Sequence, residues 1–418
     1  MKDLREKENT ICILGAGPGG VATALRLSYL GIPSILIDKA RFPREKVCGD
    51  AISGKVTTLL HRLDPAILER LKQHARQVGV WGIRFVAPNG KAVDVPFRPS
   101  NGYDPEIPPG FVMPRYHFDH FLIGEVERRD NIHFYPQTEV RSISRLPEGG
   151  FQLSSTDRRL HLRTPLLIDA SGAYSRFGKQ IGGLQDESAH YALAVRAYLS
   201  GVNDFREGNF IELHFQKDIL PGYFWIFPLP GGHANVGLGI LKKQAGKLKM
   251  PLREKLSEIL RTHPRLREAQ LVSPIRGYGL PLGSRPRPLS GDHYVLVGDA
   301  GKLIDPLTGE GIGNAFYSGF IAAELAAQCL SENDFSAARL KAYDVRVDRV
   351  LGSEMQLSYR MQRAGQYPWL LNRIAGIIQS NQGLVDSFSH MLTDFDLRQK
   401  LVEPAFWLRQ AWPWKKVG

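Results

Sequence analysis

The stretch TICILGAGPGGVATALRLSYLGIPSILIDKA, residues 10–40, leaves a chain few ways to fold. A short apolar run, Ile11 to Leu14, reads as a buried strand, and Ala22, Leu25 and Leu27 continue with helical character. Between them Gly15, Gly17 and Gly20 take the GxGxxG spacing, with Ala16 inside the turn. Gly15 makes the tight turn, Gly17 lets the backbone approach a pyrophosphate, and Gly20 lets helix and strand pack closely. The helix start supplies unpaired N–H groups and positive dipole to an anion. A second strand, Ser34 to Ile37, ends at Asp38, placed to accept hydrogen bonds from a ribose hydroxyl. The segment predicts a Rossmann-type dinucleotide site and leaves NAD and FAD equally open.

A second region separates them. In DHYVLVGDAGKLIDPLTGEGIGNAFYSGFIAAELAAQCL, Tyr294 to Val297 reads as a buried strand ending in Gly298 and Asp299, followed by a glycine-rich loop and a long helix of small residues. An aspartate at a strand's carboxyl end faces the ligand crevice of an α/β sheet, so Asp299 is expected to bond a ribityl hydroxyl of FAD. The helix, starting near Gly311 to Asn314, aims its positive end at the N1/C2 carbonyl region of a flavin. A nicotinamide dinucleotide needs no such second helix. Between the two regions, RTPLLIDASGAYSRFGKQIG predicts a strand over Leu166 to Ile168 and a turn through Asp169, Gly172, Ser175 and Arg176 into a helix.

Three such motifs in this order, with KVCGD at 46–50 and YFWIFP at 223–228, resemble the FAD-dependent geranylgeranyl reductase family, within the flavoprotein superfamily that includes aromatic hydroxylases and flavin halogenases. The matching pieces span about three quarters of the chain. The resemblance implies an α/β fold, α+β overall: a discontinuous Rossmann-like FAD-binding domain, an antiparallel-sheet substrate domain and a helical C-terminal region. Val47, Cys48 and Asp50 are implied as flavin contacts, Arg115 as a residue that helps hold the cofactor, and Val140 as the end of the strand whose backbone meets the adenine. Asp169 and Gly172 match the middle motif, although Ser171 stands where many relatives carry a second aspartate. Gly309, Gly311 and Ile312 match the last. Lys302 departs from the small Ala-Gly pair expected in that loop and reads as a solvated surface charge. A buried structural thiol is the alternative reading of Cys48.

The substrate is read from LPGYFWIFPLPGGHANVGLGI. Tyr223, Trp225 and Phe227 alternate at strand period and share one face, able to line an apolar slot or to serve as ordinary sheet core. Geranylgeranyl reductases carry this pattern beside their prenyl cavity, so the resemblance implies reduction of an isoprenoid carbon-carbon double bond by flavin hydride transfer. Cys48, Tyr223 and a bound water are the candidate proton donors. The alternatives are an aromatic monooxygenase, a halogenase-like enzyme, and a flavoprotein passing electrons to a quinone. KVCGD and YFWIFP count against hydroxylases, and PLTGEGIG against halogenases.

Domain limits are expected at 1–75, 111–182 and 290–330 for FAD binding, 76–110 and 183–289 for substrate, and 331–418 for the helical end. With no second GxGxxG unit, the electron donor is either NAD(P)H docking transiently or a ferredoxin-like protein. The net charge of +12 favours an acidic partner over nucleic acid, for which no reading module is present. Cys12, Cys48 and Cys329 are too few and too widely spaced for a disulfide framework or a metal site, which points to a reducing, cytoplasmic setting. MKDLREKENT has no signal-peptide core, and no run reaches the ~18 apolar residues of a membrane span. The end, EPAFWLRQAWPWKKVG, combines tryptophans with lysines and suits either a membrane-surface contact or a helix packed onto the body with a basic tail.

Overall fold

The computed structural model describes residues 10–97, 108–157 and 160–380. Ile11–Leu14, an apolar tetrapeptide buried on both faces, sits at the centre of a six-stranded sheet. It pairs in parallel with Ser34–Ile37 on one side (Cys12 opposite Ile35) and with Leu167–Asp169 on the other (Cys12 opposite Leu167). Ile132–Tyr135 and Tyr294–Leu296 extend the sheet in parallel, and Ser290–Gly291 closes one edge antiparallel. Strands buried on both faces carry no alternation, which is why these segments read as plain apolar runs.

The helix Pro18–Tyr29 covers one face and crosses Ile312–Glu332 at bare backbone. A Cβ on Gly319 would lie 2.6 Å from the Gly19 carbonyl oxygen, so the crossing admits only glycine there. The opposite face is covered by a three-stranded sheet of Val140–Arg145, Phe151–Ser155 and His161–Thr164.

An eight-stranded, mainly antiparallel sheet forms the second layer system. Its centre is Tyr191–Ser200, His233–Leu241 and Tyr223–Leu229, flanked by Ile211–His214, Gly82–Val86 and Ala92–Pro96. One face packs on the amphipathic helix Leu252–Thr262, while the other carries Tyr223, Trp225 and Phe227 toward the parallel sheet. The helices Ala337–Val347, Ser353–Ala364 and Pro368–Gln379 follow, the last packing on Ala92–Pro96 through Ala375 and Ile378. The segment EPAFWLRQAWPWKKVG lies outside the described residues. Among those described, no helix is long and apolar enough to cross a membrane.

Candidate active site

A single cavity of ≈ 1590 Å³ runs between the two sheets, polar at one end and apolar at the other. The polar end begins at the first glycine turn. Gly15 has φ +101°, and its N–H donates to the Ile37 carbonyl at 2.7 Å. A Cβ on Gly20 would fall 1.8 Å from the Gly15 carbonyl oxygen, so Gly20 serves the helix-to-strand contact and does not line the cavity. Asp38 lines the cavity and accepts from the Ala16 N–H and the Ala40 N–H, one on each carboxylate oxygen, at 2.7 Å. The first-turn N–H groups of Pro18–Tyr29 have no acceptor within the helix. Arg44 lies beside Gly17, 3.7 Å from where a Cβ would stand, ready for the same anion.

The turn holding Cys48 is organised by its neighbours. Asp50 adopts φ +68° and is wholly buried. Its carboxylate accepts from the Arg115 backbone N–H at 3.1 Å, the Tyr198 hydroxyl at 2.7 Å and the Asn235 amide at 2.7 Å. Burial pushes Asp50 up to about 6, against the pull of these donors. Asn235 also donates to the Cys48 carbonyl at 2.8 Å and accepts from the Trp225 indole at 3.0 Å. Gly49 abuts the Phe227 ring, 3.1 Å from its would-be Cβ. Two motifs far apart in sequence thus meet at one wall.

Arg115 forms a two-pronged pair with Asp119, at 2.6 and 2.8 Å, and Asp119 also holds Arg44 at 3.0 Å. Burial opposes the Arg115 charge, but Asp119 and then Cys48 outweigh it and hold its pKa above the ordinary value. Lys46, its ammonium 3.3 Å over the Tyr278 ring, is lowered to about 8 by burial and by the Arg115 charge.

At the far rim of the polar end stand Asp299 and the loop 303–311. The Asp299 carboxylate accepts no hydrogen bond from the described residues, and Gly311 packs against it with only 3.1 Å for a Cβ. Burial raises its pKa, while Lys46 and Arg115 draw it back. A carboxylate facing a cavity without a donor suits the hydroxyls of a ribityl chain, and the two helix starts suit a pyrophosphate and a ring carbonyl. These residues fit FAD.

Of the residues singled out from sequence, most line this one cavity: Gly15, Gly17, Asp38, Val47, Cys48, Asp50, Arg115, Gly172, Tyr223, Trp225, Phe227, Asp299, Gly309, Gly311 and Ile312. Asp169, expected as a cofactor contact, is turned away. It accepts from the Ser171 backbone N–H at 3.0 Å and from the Ser171 and Ser175 hydroxyls, so it builds its own turn. Val140 opens the edge strand of the three-stranded sheet and packs into that core, outside the cavity. Lys302 is not a solvated charge: it is buried at φ +57°, with its ammonium on the Gln185 carbonyl and on Asp186 at 2.8 Å. Tyr223 donates its hydroxyl proton to the Thr308 carbonyl, and burial, then the Asp305 charge, raises its pKa. That proton is held, which weakens Tyr223 as an acid and leaves it as a wall residue.

Arg44, Lys46, Tyr278 and Asn235 were missed. Arg44 and Lys46 stood in plain view in RFPREKVCGD, and Asn235 was the lone polar residue in ANVGLGI. Their partners are remote in sequence, so their roles were not readable there.

The apolar end is assembled from many segments. Ile83, Phe85, Val93 and Val95 supply one side, Trp225 and Leu213 the floor, and Met361, Leu370, Ile374 and Ile378 the roof. Gly237, opposite Trp225 in the sheet, leaves room for the indole, since a Cβ there would sit 2.4 Å from the ring.

Comparison with known proteins agrees with this geometry. Residues 8–351 match the FAD binding domain family. The chain is 30% identical over 350 residues to digeranylgeranylglycerophospholipid reductase 2 of Methanosphaera stadtmanae, covering 82% of this chain and 84% of the relative. It is 29% identical over 327 residues to the menaquinone reductase of Mycolicibacterium smegmatis, 75% of each chain. A geranylgeranyl bacteriochlorophyll reductase-like structure from Thermoplasma acidophilum shares the fold at TM-score 0.77 and 21% identity, over 90% of this chain and 92% of that one. The chain belongs to the FAD-binding domain family and is a FAD-dependent oxidoreductase of the geranylgeranyl reductase type.

Proposed function

We propose that this protein saturates a carbon-carbon double bond in an isoprenoid chain, either in a prenyl lipid or in the tail of a quinone. The observation that carries the reading is the continuity of the cavity: its polar end, fitted to FAD, opens without a wall into an apolar half faced by Trp225 and Phe227. Relatives named for a digeranylgeranylglycerophospholipid and for menaquinone both act on molecules with such chains. FAD, once reduced and bound, supplies a hydride for one alkene carbon.

The chain's own residues do the rest. The apolar walls hold the prenyl chain extended and exclude water, which is positioning catalysis. Trp225, fixed by Asn235, sets the chain against the Cys48 turn. Cys48 is the better placed of the two protein acids to give a proton to the second alkene carbon, because the Tyr223 proton is engaged by Thr308. Hydride and proton together complete one new C–H bond at each carbon and leave a saturated link.

The test is anaerobic. The dithionite-reduced protein, mixed with geranylgeranyl compounds of different head groups, should reoxidise with a product heavier by two hydrogens. Reoxidation that needs oxygen and hydroxylates an aromatic ring instead would place the protein with the monooxygenases.

A further inference from the structure

The loop before the Ile312–Glu332 helix carries a carboxylate that the FAD motifs do not explain. Glu310 turns back onto that helix start: its Oε1 accepts from the Gly313 N–H at 2.9 Å and from the Ser53 hydroxyl at 2.6 Å. It is pinned there, because a Cβ on Gly313 would meet Glu310 Oε1 at 2.2 Å, Lys55 Cβ at 2.7 Å and Ser53 Oγ at 2.8 Å. The Lys55 ammonium stands 3.6 Å from Glu310, 2.8 Å from Glu354 and 2.8 Å from the Asn314 side-chain oxygen. Glu310 and Lys55 both line the cavity beside Gly311 and Ile312.

A helix N-terminus favours an anion near it. Here one of its few free N–H groups is already taken by a fixed carboxylate, and two carboxylates in contact, with the Asp305 charge behind them, act on a single ammonium. Reduction adds two electrons and one proton to the flavin ring and leaves it negatively charged. A neighbouring carboxylate raises the free energy of that form, whereas a neighbouring ammonium lowers it. We propose that Glu310 and Lys55 set the reduction potential of bound FAD in opposite directions, Glu310 holding it low so that the ring is a strong reductant and Lys55 limiting the effect. The inference rests on FAD binding and is independent of which substrate is reduced.

The test is the two-electron potential of the purified, FAD-loaded protein, measured against redox dyes without air. Glu310→Gln keeps an oxygen for Gly313 and Ser53 but removes the charge, so the equilibrium should move tenfold toward the reduced form, a rise of about 30 mV. Lys55→Met should move it at least threefold the other way. If Lys55→Met fails to fold or to hold FAD, Glu354→Gln replaces it and should shift the potential upward, in the sense of Glu310→Gln. Shifts of the same sign for Glu310→Gln and Lys55→Met, or changes within threefold for the variants that bind FAD, would overturn the proposal.

Discussion

The two ends of the cavity are built by different means. At the polar end, backbone does the work: glycines in tight turns, two helix starts and carboxylates at strand ends, each contributed by a short contiguous segment. At the apolar end, side chains do it, drawn from four strands and two helices between Ile83 and Ile378. The contrast teaches that a site made of backbone geometry is intolerant of one extra atom, while a site made of apolar surface yields gradually.

That difference can be broken first at Gly20. Gly20→Val should cost at least ~3 kcal/mol and abolish FAD retention, because the side chain has no space against Gly15. Flavin absorbance of the purified protein and a denaturation curve check it; a yellow, stable variant would refute the backbone account.

Trp225→Ala probes the other end. It should lower kcat/KM for a prenyl substrate by about 100-fold, or ~3 kcal/mol, yet leave the Kd for FAD within about twofold. Equal losses in both would dissolve the distinction between the ends.

Asp50 sits where the ends join, and its titration sharpens the comparison. Its folded pKa of about 6 lies above the unfolded value, so its protonated form is favoured by folding. The stability it contributes is present below about pH 4 and is lost as pH rises through 6, on the order of 3 kcal/mol. Asp50→Asn should flatten the fall in stability between about pH 4 and pH 6 measured by urea unfolding. An unchanged pH profile would mean that its three donors hold Asp50 ionised throughout.

The smallest effect is expected outside both ends. Lys302→Met removes the buried partner of Asp186, which is itself partly exposed, and should cost about 1 kcal/mol while FAD binding persists.

Much of the polar end was legible in the sequence because each motif is local. Gly15, Asp38 and Asp299 follow from a turn or a strand end, and the Asp299 strand with the helix after it separated FAD from NAD. Period-two aromatics disclosed the face of Tyr223, Trp225 and Phe227. Asp169 misled because its sequence position fits a ligand contact, yet Ser171 and Ser175 in the same turn satisfy it. Lys302 misled because its partner, Asp186, is more than a hundred residues away. The roof from Met361 to Ile378 was invisible for a related reason: an apolar helix face does not say which cavity it will cover.

The central claim is that the apolar half receives an extended isoprenoid chain at the flavin. The most direct measurement is the anaerobic reoxidation rate of the reduced protein by a series of prenyl compounds that differ only in the number of isoprene units. The account predicts a rate that climbs with each unit until the apolar half is filled and then levels, with the climb lost in Trp225→Ala. A rate independent of chain length would contradict it.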